Sequence, residues 1–359
     1  MIAIDFFCGA GGFTRGLKDA GVDVVAGIDI NECCAKSYTS NNLGAVFLCK
    51  DVRAIGMSDI KSIVGNRRSE DAVFVGCAPC QPFSQQRKGC SKSGDATVLS
   101  AFGRIVESSL PRAIIIENVP GLAKVPGNST YNRFVRMLMH NGYCVASDVL
   151  DAKHYGVPQG RRRLVLLAVR GAPVSLPGPN YGGASRSFRT VRDAIEHFPA
   201  LDAGQSDATF PNHVCSGISE LNLKRLRHTP SNGGDRRAWP SELKLVCHSG
   251  EYKGHTDVYG RMAWDLPAPT LTGRCHSISN GRYGHPEQDR AISLREAAAL
   301  QSFPDRYTFY GTLSQVAQQI GNAVPVRFAE VLAKHLRKLL DEPRVRSGSS
   351  RRNFRKVTA

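Results

Sequence analysis

The run "IAIDFFCGAGGF", residues 2–13, carries a short apolar stretch straight into a cluster of glycines. Its first half predicts a strand buried on both faces. Gly9, Gly11 and Gly12 then allow a tight turn, and an amphipathic segment follows. A strand that feeds a glycine turn and opens a helix brings backbone N–H groups close to a ligand at the helix N-terminus. The same texture recurs at "VDVVAGIDI" (22–30), "AVFLCKDV" (45–52), "DAVFVGC" (71–77), "AIIIENV" (113–119) and "RLVLLAV" (163–169). Helical candidates such as "NRFVRMLMHNG" (132–142) lie between them. The expected fold class is α/β, a doubly wound, mostly parallel, Rossmann-like sheet.

The texture changes after Arg170. Residues 171–290 are rich in Gly, Pro, Ser, Arg and His, and "HTPSNGGDRRAWP" (228–240) reads as loop. This block is expected to be a second, smaller, irregular domain. Helical periodicity returns at "SLREAAALQSF" (293–303) and "VRFAEVLAKHLRKLL" (326–340). In the latter, Phe328, Val331, Leu332, His335, Leu336 and Leu339 share one face. Residues 341–359 hold six Lys or Arg among Ser and Gly and read as a basic, disordered tail.

The chain has 359 residues and a formal net charge of +16, which points to a polyanionic partner, most commonly nucleic acid. No apolar run approaches the roughly 20 residues of a membrane span. Asp5 interrupts the first apolar stretch and no basic segment precedes it, so no export signal is expected. Eleven cysteines without a regular framework fit reduced thiols in a cytoplasm.

The glycine turn suits a dinucleotide or S-adenosylmethionine. Its Gly-x-Gly-Gly spacing lacks the third glycine of the dinucleotide fingerprint, which favours the latter. Asp29 ends the second strand and is placed to bind ribose hydroxyls. Asp51, ending the third, is a candidate to read an adenine edge.

"GCAPCQPFSQQ" (76–86) holds Cys77 and Cys80 in Cys-x-x-Cys spacing. A redox pair would sit where a strand feeds directly into a helix, whereas here a polar loop follows. A structural zinc site needs four ligands, and no second pair is near, so no metal is expected. A single nucleophile remains. Cys80 lies just past a strand's carboxyl end, where α/β sheets hold ligands, and Cys77 still belongs to the strand. Glu117 ends the next strand, where a buried carboxyl could be held protonated and donate a hydrogen bond. "QGRRRLVLLAV" (159–169) sets Gln159, Arg161 and Arg163 on one strand face. "QIGNAVPV" (319–326) supplies a Gly-Asn turn before the last helix.

With "DFFCGAGGF", "PCQPFS", "ENV", "QGRRR", "SLREAAALQSFPD" and "GNAV" in this order, the chain resembles the DNA (cytosine-5)-methyltransferases over residues 2 to about 340. The resemblance implies a discontinuous catalytic domain, 1–170 plus 291–340, around a target-recognition domain at 171–290. It implies S-adenosylmethionine held by Phe7, Gly9, Gly11, Gly12, Phe13, Asp29, Asp51, Asn322 and Val324. Cys80 would attack C6 of a flipped-out cytosine, Glu117 would bond N3, and Arg163 would meet O2. Arg161 would join them or form a structural salt bridge nearby. The loop 80–95, with Gln81, Ser84, Arg87, Lys88 and Lys92, would close over the base. Gln159 and the arginines Arg225, Arg227, Arg236, Arg237, Arg261 and Arg274 are candidate contacts to duplex DNA; Arg186 and Arg189 are further basic residues of the block. A bacterial or phage enzyme acting as a monomer is implied, with a restriction endonuclease possible nearby. The alternatives are a tRNA cytosine-5 methyltransferase and, from another class, a non-catalytic DNA-binding relative.

Overall fold

The computed structural model describes residues 1–78, 94–124, 129–246 and 257–341. Seven strands form one sheet: β1 (Ile2–Phe6), β2 (Asp23–Asp29), β3 (Val46–Cys49), β4 (Ala72–Gly76), β5 (Ala113–Asn118), β6 (Tyr143–Asp151) and β7 (Arg162–Arg170). Their order is β3-β2-β1-β4-β5-β7-β6. Pairing is parallel from β3 through β5. β7 runs antiparallel between β5 and β6. The sheet is thus mostly parallel, as the sequence predicts, and chain order reverses between β1 and β4. An α/β sheet opens a crevice at such a point, beyond the carboxyl ends of its strands.

β6 has no counterpart in the sequence reading. Its residues, "YCVASDVLD", are mostly exposed or half-buried, and no continuous apolar run marks them. It is an edge strand with one neighbour, so packing asks little of its side chains. β7, covered on both sides, keeps the "LVLLAV" core that made it legible.

Alternate residues of each strand face opposite layers. Ile2, Ile4 and Phe6 pack with Ile60 of α3 (Met57–Val64), Phe102 of α4 (Gly94–Ser109) and Phe134 of α5 (Thr130–His140). Ala3, Val24 and Val75 pack on the other side with Leu17 of α1 (Gly12–Asp19) and with Phe328, Leu332 and Leu336 of α10 (Val326–Asp341). Ala329 and Ala333 join that buried stripe, while Val331, His335 and Leu339 lie at its half-buried margin. The stripe is therefore turned slightly from the face read in the sequence. The small residues are what let α10 approach α1: a Cβ added at Gly16 would lie 2.5 Å from the Ala329 Cβ.

Residues 171–246 and 257–290 contain two short helices, α6 (Val191–Ile195) and α7 (Glu220–Arg227), among turns and isolated bridges. Many of their buried apolar side chains pack outward rather than among themselves. Ile195, Trp264, Leu271 and Tyr283 share a cluster with residues of α8 (Leu294–Leu300) and α9 (Leu313–Asn322). That cluster is pinned by charge. Arg290 donates two hydrogen bonds to Glu296, 2.8 and 2.7 Å, with both side chains buried. Glu296 also closes a capping box with Ser293 at the start of α8. Burial pushes the Glu296 carboxyl up, but the Arg290 contacts outweigh it and leave it below its usual range.

Removing one member of such a pair strands the other in a dry interior. Glu296→Gln should cost about 3–5 kcal/mol in urea unfolding. Adding Arg290→Met should recover part of that loss, because the stranded charge is then gone.

Candidate active site

The turn after β1 is fixed by its neighbour strand. Phe7 and Cys8 donate backbone N–H bonds to the Ile28 carbonyl, 2.7 and 3.1 Å. Phe7 takes a left-handed φ of 62° and Gly9 one of 51°. The Asp29 carboxylate accepts from Gly9 N and Asn31 N, each at 2.8 Å. Burial raises its pKa. A Cβ built at Gly9 meets no described atom within 4 Å, so the backbone there faces open space. Ile30, next to Asp29, is 66% exposed, an apolar side chain left uncovered at the carboxyl edge. The sequence offered a signal for it, an isoleucine directly after the acidic strand end, which went unread.

Four of the cofactor candidates, Gly11, Gly12, Phe13 and Asp51, are engaged by the chain itself. A Cβ at Gly11 would meet Asn42, Tyr307 and Tyr38, and one at Gly12 would sit 2.5 Å from the Val324 carbonyl. Packing against the chain itself requires glycine at both. Phe13 is buried in the layer beneath α1 and presents no free face. Asp51 accepts from the Arg53 backbone and guanidinium at 2.8 and 3.0 Å, which holds its carboxyl below the usual range. Asn322, at the end of α9, is exposed, and Val324 is buried where it meets Gly12.

Glu117 sits at the carboxyl end of β5. Because β7 is antiparallel, its first residues reach the same edge, and Arg163 Nε lies 3.1 Å from Glu117 Oε1. The contact is out of line for a hydrogen bond. Glu117 Oε1 is buried without a hydrogen-bond partner among the described residues. An orphaned acceptor of this kind is costly unless a ligand completes it. Next to it, Asn118 donates from Nδ2 to the Ala78 carbonyl at 2.9 Å. Asn118 thus fixes the backbone just beyond β4. It lay inside the quoted "ENV" but was given no role. Cys77 packs at the end of β4, and burial, then the Glu117 charge, push its thiol well up. Cys80, Gln81, Ser84, Arg87, Lys88 and Lys92 lie outside the described residues.

The other two candidates of the "QGRRR" stretch, Gln159 and Arg161, are corrected. Gln159 is fully buried: its Nε2 donates to Leu300 O and Gln301 Oε1, and its Oε1 accepts from Leu271 N. It has nothing left to offer DNA. Arg161 makes no salt bridge among the described residues. Its guanidinium donates to the carbonyls of Leu271 (2.9 Å), Gly321 and Ala323 (each 3.1 Å). Burial, then the nearby Arg163, lower its pKa to about 9.

The profile of the C-5 cytosine-specific DNA methylase family matches residues 1–338. The chain belongs to that family. It is 40% identical to the Type II methylase M.HgiDII of Herpetosiphon aurantiacus, over 94% of this chain and 95% of that protein. It is 32% identical to the Type II methyltransferase M1.HphI of Haemophilus parahaemolyticus, over 94% of this chain and 86% of that one. A putative DNA modification methyltransferase encoded within an E. coli prophage has the same fold, with a TM-score of 0.75 at 23% identity over 95% of this chain and all of that one.

For a DNA methylase, the arginines of the variable block divide by exposure. Arg261 is buried and donates to Thr229, Leu226, His285 and Gln288 carbonyls and to Asp289. Leu226 lies in the last turn of α7 and Thr229 just past it, so Arg261 caps that helix and cannot reach a phosphate. Arg225 is also buried, bonded to Leu243 O and Asn222 Oδ1 beside the Trp239 ring. Both are corrections. Arg227, Arg237 and Arg274 are exposed, and Arg236 is half-buried.

Asp5, behind the glycine turn, is fully buried and accepts a 2.6 Å hydrogen bond from Thr14 Oγ1. Its Oδ1 has no partner among the described residues. Burial raises its pKa to about 7. Below pH ~4 the group is neutral in both folded and unfolded chains. As pH rises from about 4 to 7 the unfolded chain releases a proton that the folded chain keeps, so stability is lost. Asp5→Asn should flatten that limb of the stability profile, by a few kcal/mol at most in order of magnitude. Urea unfolding at a series of pH values measures it.

Proposed function

We propose that the chain transfers a methyl group from S-adenosylmethionine to C5 of a cytosine flipped out of a specific duplex DNA sequence. The observation that carries this reading is the buried Glu117 Oε1, ion-paired with Arg163 but without a hydrogen-bond partner among the described residues, at the carboxyl end of β5. The relatives named Type II methylases favour DNA over tRNA, and also favour a partner endonuclease encoded nearby. The monomer stays part of the proposal.

Cytosine C5 is a weak nucleophile. Addition of the Cys80 thiolate to C6 makes C5 an enamine carbon and moves charge onto N3 and O2. Glu117 shares a proton with N3 as that charge appears, and Arg163 meets O2; both act on the transition state. When bound, S-adenosylmethionine supplies a methyl group activated on a sulfonium. The open space at Gly9 and the half-buried Asp29 carboxylate suit such a ligand, with Phe7, Ile30, Asn322 and Val324 at its margins. The C5 proton then leaves to water or hydroxide, and the thiolate is expelled as the C5–C6 double bond re-forms. The base must leave the helix first, at a cost of a few kcal/mol. Arg227, Arg236, Arg237 and Arg274 are the arginines of the earlier set that remain for phosphates or base edges.

Bisulfite sequencing of DNA from a host expressing the protein should show one short methylated sequence. Cys80→Ser should abolish it and keep cofactor binding, whereas Cys77→Ser should stay active. DNA carrying 5-fluorocytosine should trap an adduct on Cys80. Glu117→Gln should slow turnover on the order of 10²-fold with little change in DNA affinity. An unmethylated host, or methylation of tRNA alone, would sink the reading.

A further inference from the structure

The buried pair Gln159 and Arg161 is poorly explained by stability alone. A guanidinium surrounded by neutral carbonyls, with no carboxylate in salt-bridge range and its Nε unpartnered among the described residues, is an expensive way to fill a core. What the pair does geometrically is specific. It holds both backbone polar groups of one residue, Leu271, in the segment 268–273: Gln159 accepts from Leu271 N at 3.0 Å, and Arg161 donates to Leu271 O at 2.9 Å. The flanking residues are tied to the same strand entry. Gly160 N donates to Ala268 O, Ala268 N donates to Pro158 O, and Thr270 Oγ1 donates to Gly160 O.

The other side of this segment touches the end of α9. A Cβ at Gly321 would lie 2.1 Å from the Thr272 carbonyl, so the two backbones are in direct contact. Arg161 spans the contact, bonded to Leu271 on one side and to Gly321 and Ala323 on the other. Those last two residues flank Asn322. Leu271, in turn, lies three residues before the exposed Arg274.

We propose that Arg161, supported by Gln159, is a positioning residue that couples the DNA-reading block to the cofactor turn, so that each ligand tightens binding of the other. The proposal rests on the reading given under Proposed function. The segment 268–273 and the turn 321–324 are held as one piece. Ordering the Arg274 end on DNA therefore restricts the turn beside the cofactor, and the reverse holds to the same extent, because coupling of binding free energies is reciprocal.

The test measures S-adenosylhomocysteine affinity with and without saturating, fragmented chromosomal DNA from a methylation-deficient bacterial host. The intact protein should bind this probe about 10-fold more tightly when DNA is present. In Arg161→Lys the factor should fall towards one, while each ligand alone binds within about 3-fold of the intact protein, the difference being loss of coupling alone. A merely structural role would instead weaken both single affinities and leave the factor unchanged. Thr270→Val, which removes only the bond to Gly160, should lower the factor partly and serves if Arg161→Lys does not fold. An intact protein with no coupling, or variants that keep the full factor, would overturn the proposal. An intact protein that binds neither ligand would instead overturn the reading on which it rests.

Discussion

The reversed direction of β7 is the constraint on which the site depends. Five parallel strands bring their carboxyl ends to one edge, and Asp29 and Glu117 stand there for that reason. A sixth parallel strand would have sent its first residues to the opposite edge. Running antiparallel beside β5, β7 returns Arg163 to the edge that holds Glu117. The same reversal sets Gln159 and Arg161 at the strand entry, just before Arg163, where they meet segments from later in the chain. One choice of direction thus brings an acid, a guanidinium and a structural junction within a few residues of each other.

Polar groups inside this protein do the joining that apolar packing cannot specify. Arg290 and Glu296 lock the start of α8 to the loop before it. Arg295 reaches the carbonyls of Pro211, Pro304 and Tyr307. Arg261 ends α7. Each replaces a backbone partner that irregular chain would otherwise leave unmet. This is how a block with few helices and isolated bridges holds a defined shape: buried arginines bond its carbonyls where a sheet ladder would have done so elsewhere.

That role also explains what the sequence could and could not tell. The strands with continuous Val, Ile and Leu were legible, because burial on both faces leaves that mark. β6 was not, because its "YCVASDVLD" carries no such run, unlike the "VFLC" of the other edge strand, β3. Cys77 was read as part of the strand; it lies one residue past β4, partly buried against the same layer. Glu117 was rightly placed at a strand end, where a periodic pattern locates a residue without any knowledge of its neighbours. Gly11, Gly12 and Phe13 look the same in sequence whether a ligand or a helix lies against them. The packing of Gly11 against Tyr307 and of Gly12 against Val324 is long-range and leaves no local mark. Arg225, Arg261 and Gln159 were misassigned for a related reason. An arginine in a basic, loop-rich block reads as solvent-facing, and nothing local reveals that it is buried among carbonyls.

The contact of α1 with α10 also bears on how the protein is made. Gly16 belongs to the first helix synthesised and Ala329 to the last one described. Until residues 326–341 leave the ribosome, one face of β1 and β2 lacks its cover. At about 5–20 residues per second, that wait is on the order of tens of seconds. The nascent sheet must spend it with Val24, Leu17 and Val75 open to other chains, or in the keeping of a chaperone. A host in which translation stalls late in this message would therefore accumulate aggregates rather than a partly active enzyme.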